Sequence, residues 1–291
     1  MSAHKILIVG KIGQVGWELR RTIAPLGSVV SVDFPEIDLT DSASARKWVR
    51  DTNPSVIINA AAYTAVDKAE QEEARATQIN GVAPGILAEE AKRAGALFIH
   101  YSTDYIFDGT KNSPYVEDDP PSPLGAYGRS KLAGDEAVRQ VDGNYVIFRL
   151  CWVYGARGQN FMLTMMRLAR EREQLRVVHD QVGCPTWSRM IAETTALALK
   201  QILAGGEPGR FKGVYNLAAS GQTSWHGFAR AIVDLMPADS RKCREVAGIT
   251  TPEYPLPAKR PAYSVLSCEK LQRTFGLKLP EWQESLKQVL E

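Results

Sequence analysis

The 291-residue chain is poor in the groups from which disulfide and metal sites are built. Its four cysteines, Cys151, Cys184, Cys243 and Cys268, stand 33, 59 and 25 residues apart. No CxxC pair or zinc-ligand spacing results, and they read as reduced and mostly buried. The four histidines, His4, His100, His179 and His226, form no HxxxH pair, so no transition-metal site is expected. No apolar run approaches the ~18 residues of a membrane span. An apolar strand begins after three residues, without the charged and apolar regions of a secretory signal, so a cytoplasmic location away from any membrane is expected. Charge of one sign is also lacking: 35 Lys and Arg oppose 33 Asp and Glu. The balance is uneven, with −4 over residues 1–150 and +6 over 151–291. That excess is too thin for duplex nucleic acid, which needs dense basic patches, but it suits a small anionic ligand.

What is present is alternation. Short apolar runs at Lys5–Val9, Val29–Asp33, Val56–Asn59, Leu97–Tyr101 and Tyr145–Leu150 are rich in β-branched residues and read as strands. Between them, Gln14–Ala24, Ser42–Asp51, Ala74–Arg93 and Tyr127–Val141 carry helical spacing. Strands alternating with helices predict an α/β fold built on a doubly wound, Rossmann-like parallel sheet, in which chemistry gathers at the carboxyl ends of the strands. Residues 151–291 are less regular. Helical spacing recurs at Phe161–Arg172, Arg189–Leu203, Trp225–Leu235 and Pro280–Leu290, and strand-like runs at Leu175–Val178 and Gly213–Asn216. The expectation is a dinucleotide-binding domain over 1–150 and a smaller C-terminal lobe over 151–291, mainly substrate-binding, that returns to the sheet once or twice.

The first strand runs into Gly10-Lys-Ile-Gly13-Gln-Val-Gly16. Glycines allow a tight turn and close approach of a pyrophosphate, and the following helix offers free N–H groups at its amino end. Asp33, at the end of the second strand, suits the ribose 2′-hydroxyl of NADH. Lys11, inside the loop, suits the 2′-phosphate of NADPH, so the two pull in opposite directions. Asp38 and Leu39 are read either as adenine contacts or as a helix cap. The small residues after the third strand, in Asn59-Ala-Ala-Ala62-Tyr63-Thr64, let backbone lie against a cofactor. After the fourth strand come Thr103 and Asp104, and on a later helix Tyr127 and Lys131, four residues apart and so on one face. A cation beside a phenol favours the phenolate and lowers its pKa towards neutrality.

GxxGxxG, NAAA and YxxxK in this order resemble the extended short-chain dehydrogenase/reductase superfamily. GQVGWEL, NAAAYTAVDKAE, YSTDYIFDG, FRLCWVYG, DQVGCPT and PAKRP narrow the resemblance to the dTDP-4-dehydrorhamnose reductases over nearly the whole chain. The resemblance implies hydride transfer to the C4 ketone of dTDP-4-dehydro-β-L-rhamnose, giving dTDP-β-L-rhamnose for cell-surface polysaccharide. In it Tyr127 is the proton donor, Lys131 holds the nicotinamide ribose and depresses the Tyr127 pKa, and Thr103 bonds the reacting oxygen. It further implies that Gly13, Gln14, Val15, Asp33, Asp38, Leu39, Ala62, Tyr63 and Thr64 line the cofactor, NADPH with NADH as the alternative. Asp104, Trp152 and Gln181 are implied on the sugar nucleotide, and Mg2+ and a homodimer by the resemblance alone. Leu150-Cys151 and Cys184 depart from its commoner Thr-Ser and Ala.

Lys259 and Arg260, between Pro257 and Pro261, are the candidate cations for a substrate diphosphate. Trp187, Trp225 and Trp282 read as packing residues. Two other readings compete: another sugar-nucleotide reductase or epimerase, and a non-catalytic NADP(H)-binding regulatory subunit. The single acid after Thr103 disfavours a dehydratase.

Overall fold

The computed structural model describes residues 4–205 and 209–291. Strands β1 (His4–Val9), β2 (Gly27–Val32), β3 (Val56–Asn59), β4 (Leu97–Thr103) and β5 (Tyr145–Leu150) lie where the apolar runs predict them. The later strands are β6 (Val153–Tyr154), β7 (Gln174–Val178), β8 (Val182–Gly183), β9 (Thr186–Trp187), β10 (Gly213–Asn216), β11 (Thr223–Ser224) and β12 (Glu245–Ile249). Six of them form one sheet in the order β10-β5-β4-β3-β1-β2, with every pairing parallel. The chain therefore returns to the main sheet through Gly213–Asn216. The run at Leu175–Val178 does not join it: β7 pairs with β12 in a separate two-stranded sheet.

Both faces of the sheet are covered, so its strands are apolar throughout rather than alternating. Ile6 and Ile8 point into one core with Leu19, Ile191 and Leu199, from helices α1 (Gln14–Thr22) and, later in the chain, Ser188–Leu203. Leu7 and Val9 point into the other, with Ala45 and Val49 of α2 (Ser42–Thr52) and Leu87 and Ala91 farther along. After two short helices, α3 (Val66–Ala69) and α4 (Glu73–Thr77), the helix expected over Ala74–Arg93 is interrupted. Gln78–Val82 winds as a π turn before α5 (Ala83–Ala94), which carries a proline in its first turn. The looser turn aims Asn80 inward, where its amide oxygen accepts the Tyr63 N–H at 2.8 Å and its Nδ2 donates to Ser130 Oγ at 3.0 Å. Helix α6 (Ala126–Val141) packs directly on this segment, and a Cβ at Gly85 would lie 3.0 Å from that of Ala137.

The remaining helices are α7 (Phe161–Glu171), α8 (Ser188–Leu203), α9 (Trp225–Leu235), α10 (Glu269–Phe275) and α11 (Trp282–Leu290). A third core joins α7, α9 and α11 through Met162, Phe228 and Leu286, with Trp187 and Trp282 inside it as expected. Among the described residues, no helix is long and apolar enough to cross a membrane.

On the α2–α5 face, Glu90 is buried, with its side chain 1% exposed, yet it meets Arg46 at 2.9 Å and Arg50 at 2.7 Å. The Arg50 hydrogen bond leads in lowering its pKa from 4.5 to about 2, against a burial that would raise it. A depressed carboxylate contributes stability that is fully present above pH ~4.5 and is lost as pH falls towards about 2. Glu90→Gln should lower stability at pH 7 by about 1–2 kcal/mol, since it strands two half-exposed guanidinium groups. Its acid denaturation limb, followed by circular dichroism, should be flatter than that of the unaltered protein over the same range.

Candidate active site

The order of the sheet reverses between β1 and β3, and the first cavity, about 670 Å³, opens at the carboxyl ends of those strands. Gly10 ends β1 at φ +96, and a Cβ there would lie 2.4 Å from the Ala61 N. The loops after β1 and β3 thus touch backbone to backbone. Gly16 serves the next turn: its Cβ would lie 1.9 Å from the Gly10 carbonyl oxygen. Gly13 caps α1 with no side-chain acceptor, so the first N–H groups of that helix are free of side-chain caps at the cavity wall. A floor of Gly10, Gly13, Ala60, Ala61 and Ala62, with free helix N–H groups beside it, fits a dinucleotide pyrophosphate.

Gln14, Val15, Asp33 and Thr64 line the same cavity. Gln14 Oε1 accepts from Asn160 Nδ2 at 2.9 Å, and Asn160, which caps α7, lines the cavity beside Gly158 and Gln159. Three residues expected as cofactor contacts do not line this cavity. Asp38 bonds the backbone and hydroxyl of Thr40, Leu39 is buried in the core, and the cap of α2 is Asp41. Tyr63 donates its hydroxyl to Glu72 at 2.9 Å. Nor is Lys11 a free cation: its Nζ lies 2.7 and 2.6 Å from the two carboxylate oxygens of Glu36.

At the inner end of the cavity stand Thr103, Asp104, Tyr127, Lys131 and Trp152. Thr103 Oγ1 donates to Asp104 Oδ1 at 3.0 Å and accepts the Tyr105 N–H at 3.2 Å. Burial raises Asp104 to about 6, against hydrogen bonds from Ser264, Cys151 and Thr103. Lys131 is 2% exposed; its Nζ donates to the Tyr101 carbonyl at 2.6 Å and lies 3.4 Å from His100 Nε2. Burial lowers Lys131 to about 8, with Asp135 opposing. The expected lowering of the Tyr127 pKa by Lys131 is not found. Burial, with the nearby Asp104 and Asp135 carboxylates, pushes the phenol up to about 12, and the Lys131 Nζ donates to the Tyr101 carbonyl.

A second cavity, also about 670 Å³, meets the first at Tyr105 and Trp225. Sequence reasoning missed Trp225: its ring stacks on Trp152 at 3.5 Å and 5° rather than serving only as packing. Trp152 itself holds φ +44, a left-handed conformation that is costly for a bulky residue. Gln181 and Lys259 line the second cavity. Gln181 donates to Thr251 Oγ1 at 2.9 Å, while Asp180 accepts from the Thr251 N–H and hydroxyl, so this pair fixes the cavity wall. Arg260 lines this cavity too, but not as the free cation expected: its guanidinium grips both oxygens of Asp67, at 3.1 and 2.8 Å, while Lys259 is exposed. Among the described residues, no group of three or more His, Cys, Asp or Glu could hold a metal ion, so the implied Mg2+ finds no site there.

Residues 4–291 match the family model described as RmlD substrate binding domain. The chain belongs to that family. It is 51% identical over 284 residues to a dTDP-4-dehydrorhamnose reductase of Burkholderia thailandensis, covering 96% of this chain and 95% of the relative. Its fold is similar to that of a dTDP-4-dehydrorhamnose reductase from Clostridium acetobutylicum, with a TM-score of 0.91, 37% identity and 98% of each chain covered. A reductase of the same name from Bacillus anthracis, in complex with NADP, matches with a TM-score of 0.89, 32% identity and 99% of each chain covered. Membership makes the chain an NAD(P)H-dependent oxidoreductase.

Within this reductase family, the Leu150-Cys151 and Cys184 departures are buried and joined: Cys151 Sγ accepts the Cys184 N–H at 3.1 Å and donates to Asp104 Oδ2 at 3.2 Å. The glycine of DQVGCPT has a steric cause, since a Cβ at Gly183 would lie 2.5 Å from the Trp152 ring. Gly183→Ala should displace the Trp152–Trp225 stack, altering near-ultraviolet circular dichroism, and cost about 1–3 kcal/mol of stability by overpacking. An unchanged spectrum would show that the ring tolerates the methyl group.

Proposed function

We propose that this chain reduces the 4-keto group of dTDP-4-dehydro-β-L-rhamnose to give dTDP-β-L-rhamnose. The observation that carries the proposal is that Thr103, Tyr127 and the buried Lys131 line the first cavity together with Tyr105 and Trp225, where a second cavity adjoins it. One cavity suits a dinucleotide and the other a sugar nucleotide. Residues 1–150 then serve mainly the first, while 151–291 form most of the second lobe. When bound, the reduced nicotinamide supplies the hydride that reaches the ketone carbon.

Tyr127 gives its phenolic proton to the oxygen that becomes the hydroxyl. Its raised pKa keeps that proton available throughout the neutral range. The Lys131 ammonium holds the nicotinamide ribose, and Thr103 hydrogen-bonds the reacting oxygen. The one Thr103 hydroxyl proton now points to Asp104, so substrate binding must redirect it. Trp152 and Trp225 form an apolar wall for the sugar, and Gln181 and Lys259 face the nucleotide end. The close relatives' shared name supports this substrate.

Incubation with NADPH or NADH and dTDP-4-dehydrorhamnose should oxidise the cofactor, followed by loss of absorbance. Dinucleotide binding without turnover on any dTDP-4-keto sugar would instead identify a non-catalytic subunit. Tyr127→Phe should retain dinucleotide affinity and lose at least about a hundredfold in kcat, the usual size of a general-acid contribution. Because Lys131 titrates near 8 and is needed as the cation, kcat/KM should fall as pH rises past about 8, well before the phenol itself ionises. A profile flat to pH ~10 would remove the ammonium from the mechanism.

A further inference from the structure

A charge cluster at the end of β2 flanks the first cavity and has no part in the reduction. Lys11 lies between Gly10 and Ile12, both of which line that cavity, but its Nζ is held by both oxygens of Glu36, at 2.7 and 2.6 Å. Glu36 is anchored twice more. Its Oε2 accepts the Asp33 N–H at 3.1 Å, and its carbonyl oxygen accepts the Trp48 indole N–H at 2.6 Å. Asp33 is fixed as well, since its two carboxylate oxygens accept the N–H groups of Ile12 and Phe34, each at 2.9 Å. The three side chains together carry one negative charge. The nearby Arg75 acts on Asp38, the neighbouring acid farther along the chain.

A 2′-phosphate brings about −1.5 to −2 charges and needs cations free to make charge-assisted hydrogen bonds. A 2′-hydroxyl needs only an acceptor, which the Asp33 carboxylate retains in its remaining lone pairs. While Glu36 holds it, Lys11 has at most one N–H left for a phosphate, and its charge is already offset.

We propose that Glu36 is a specificity-determining residue of the dinucleotide site, holding Lys11 away from a 2′-phosphate and so favouring NADH over NADPH. The inference rests on the dinucleotide reading of the first cavity and deepens it. Dissociation constants of NADH and NADPH, measured by calorimetry without sugar nucleotide, test it in the unaltered chain, E36Q, K11A and the double variant. The unaltered chain should bind NADH at least as tightly as NADPH. E36Q should tighten NADPH roughly three- to fivefold and leave NADH within about twofold, the size expected for one freed, partly exposed cation. The gain should vanish when K11A is combined with E36Q, because it acts through Lys11.

Three results would overturn the proposal: tighter binding of NADPH than NADH by the unaltered chain, an unchanged ratio in E36Q, or a gain that survives K11A. Binding of neither dinucleotide by the unaltered chain would overturn the dinucleotide reading and this inference with it. Binding of both with an unmoved ratio would overturn the role of Glu36 alone.

Discussion

Everything at the site depends on how closely the loops after β1 and β3 approach each other. With a Cβ at Gly10 only 2.4 Å from the Ala61 N, no other residue fits without moving the backbone of one strand end. That contact sets the floor of the first cavity and the start of α1. It also puts Gly16 against the Gly10 carbonyl, so the helix must leave the loop at one angle. The parallel sheet is rigid because both faces are packed, and a rigid sheet transmits the position of β1 and β3 to β4 and β5. Thr103 at the end of β4 and Trp152 just after β5 inherit their positions from it.

Burial then does most of the electrostatic tuning. It lifts Tyr127 to about 12 and Asp104 to about 6, and lowers Lys131 to about 8. Each shift favours the uncharged form, as removal from water requires. The site thus holds a phenol that stays protonated and a cation that loses its charge just above neutral pH. His100, also buried, is held well below its ordinary pKa by desolvation and then by Lys131, so it stays neutral beneath the ammonium. A protonated His100 would compete with Lys131 for the same small, dry volume.

Elements governed by local pattern were legible in the sequence. The five strands of the first half, the glycine loop, the Tyr127–Lys131 pair and the return of Gly213–Asn216 all follow from spacing along the chain. What was not legible depends on partners far apart in sequence. Glu36 lies 25 residues from Lys11, and Asp67 lies 193 from Arg260. No spacing rule connects such pairs, so Lys11 and Arg260 read as free cations when each is already neutralised. The π turn at Gln78–Val82 escaped for a related reason: it keeps helical periodicity on both sides, and only its packing on α6 shows why Asn80 turns inward. Trp225 looked like core because an aromatic on an amphipathic helix usually is. Its role on the cavity wall follows from Trp152, whose strained backbone faces it.

The two halves of the molecule meet across the cavities through a few polar ties. Gln14 holds Asn160 beside the glycine loop, and Asp67 holds Arg260 beyond the third strand. An exposed ion pair would contribute little, but the Arg260 side chain is only 16% exposed and is fixed by two oxygens as well as by the Ala258 carbonyl at 3.0 Å. A planar guanidinium held at three points orders the loop that carries it, and that loop walls the second cavity. Asp67, from the half that carries the first cavity, therefore shapes the second without lining it. The charge split along the chain agrees with this: the acidic half presents backbone N–H groups to the first cavity and lends a carboxylate to organise the basic half around the second.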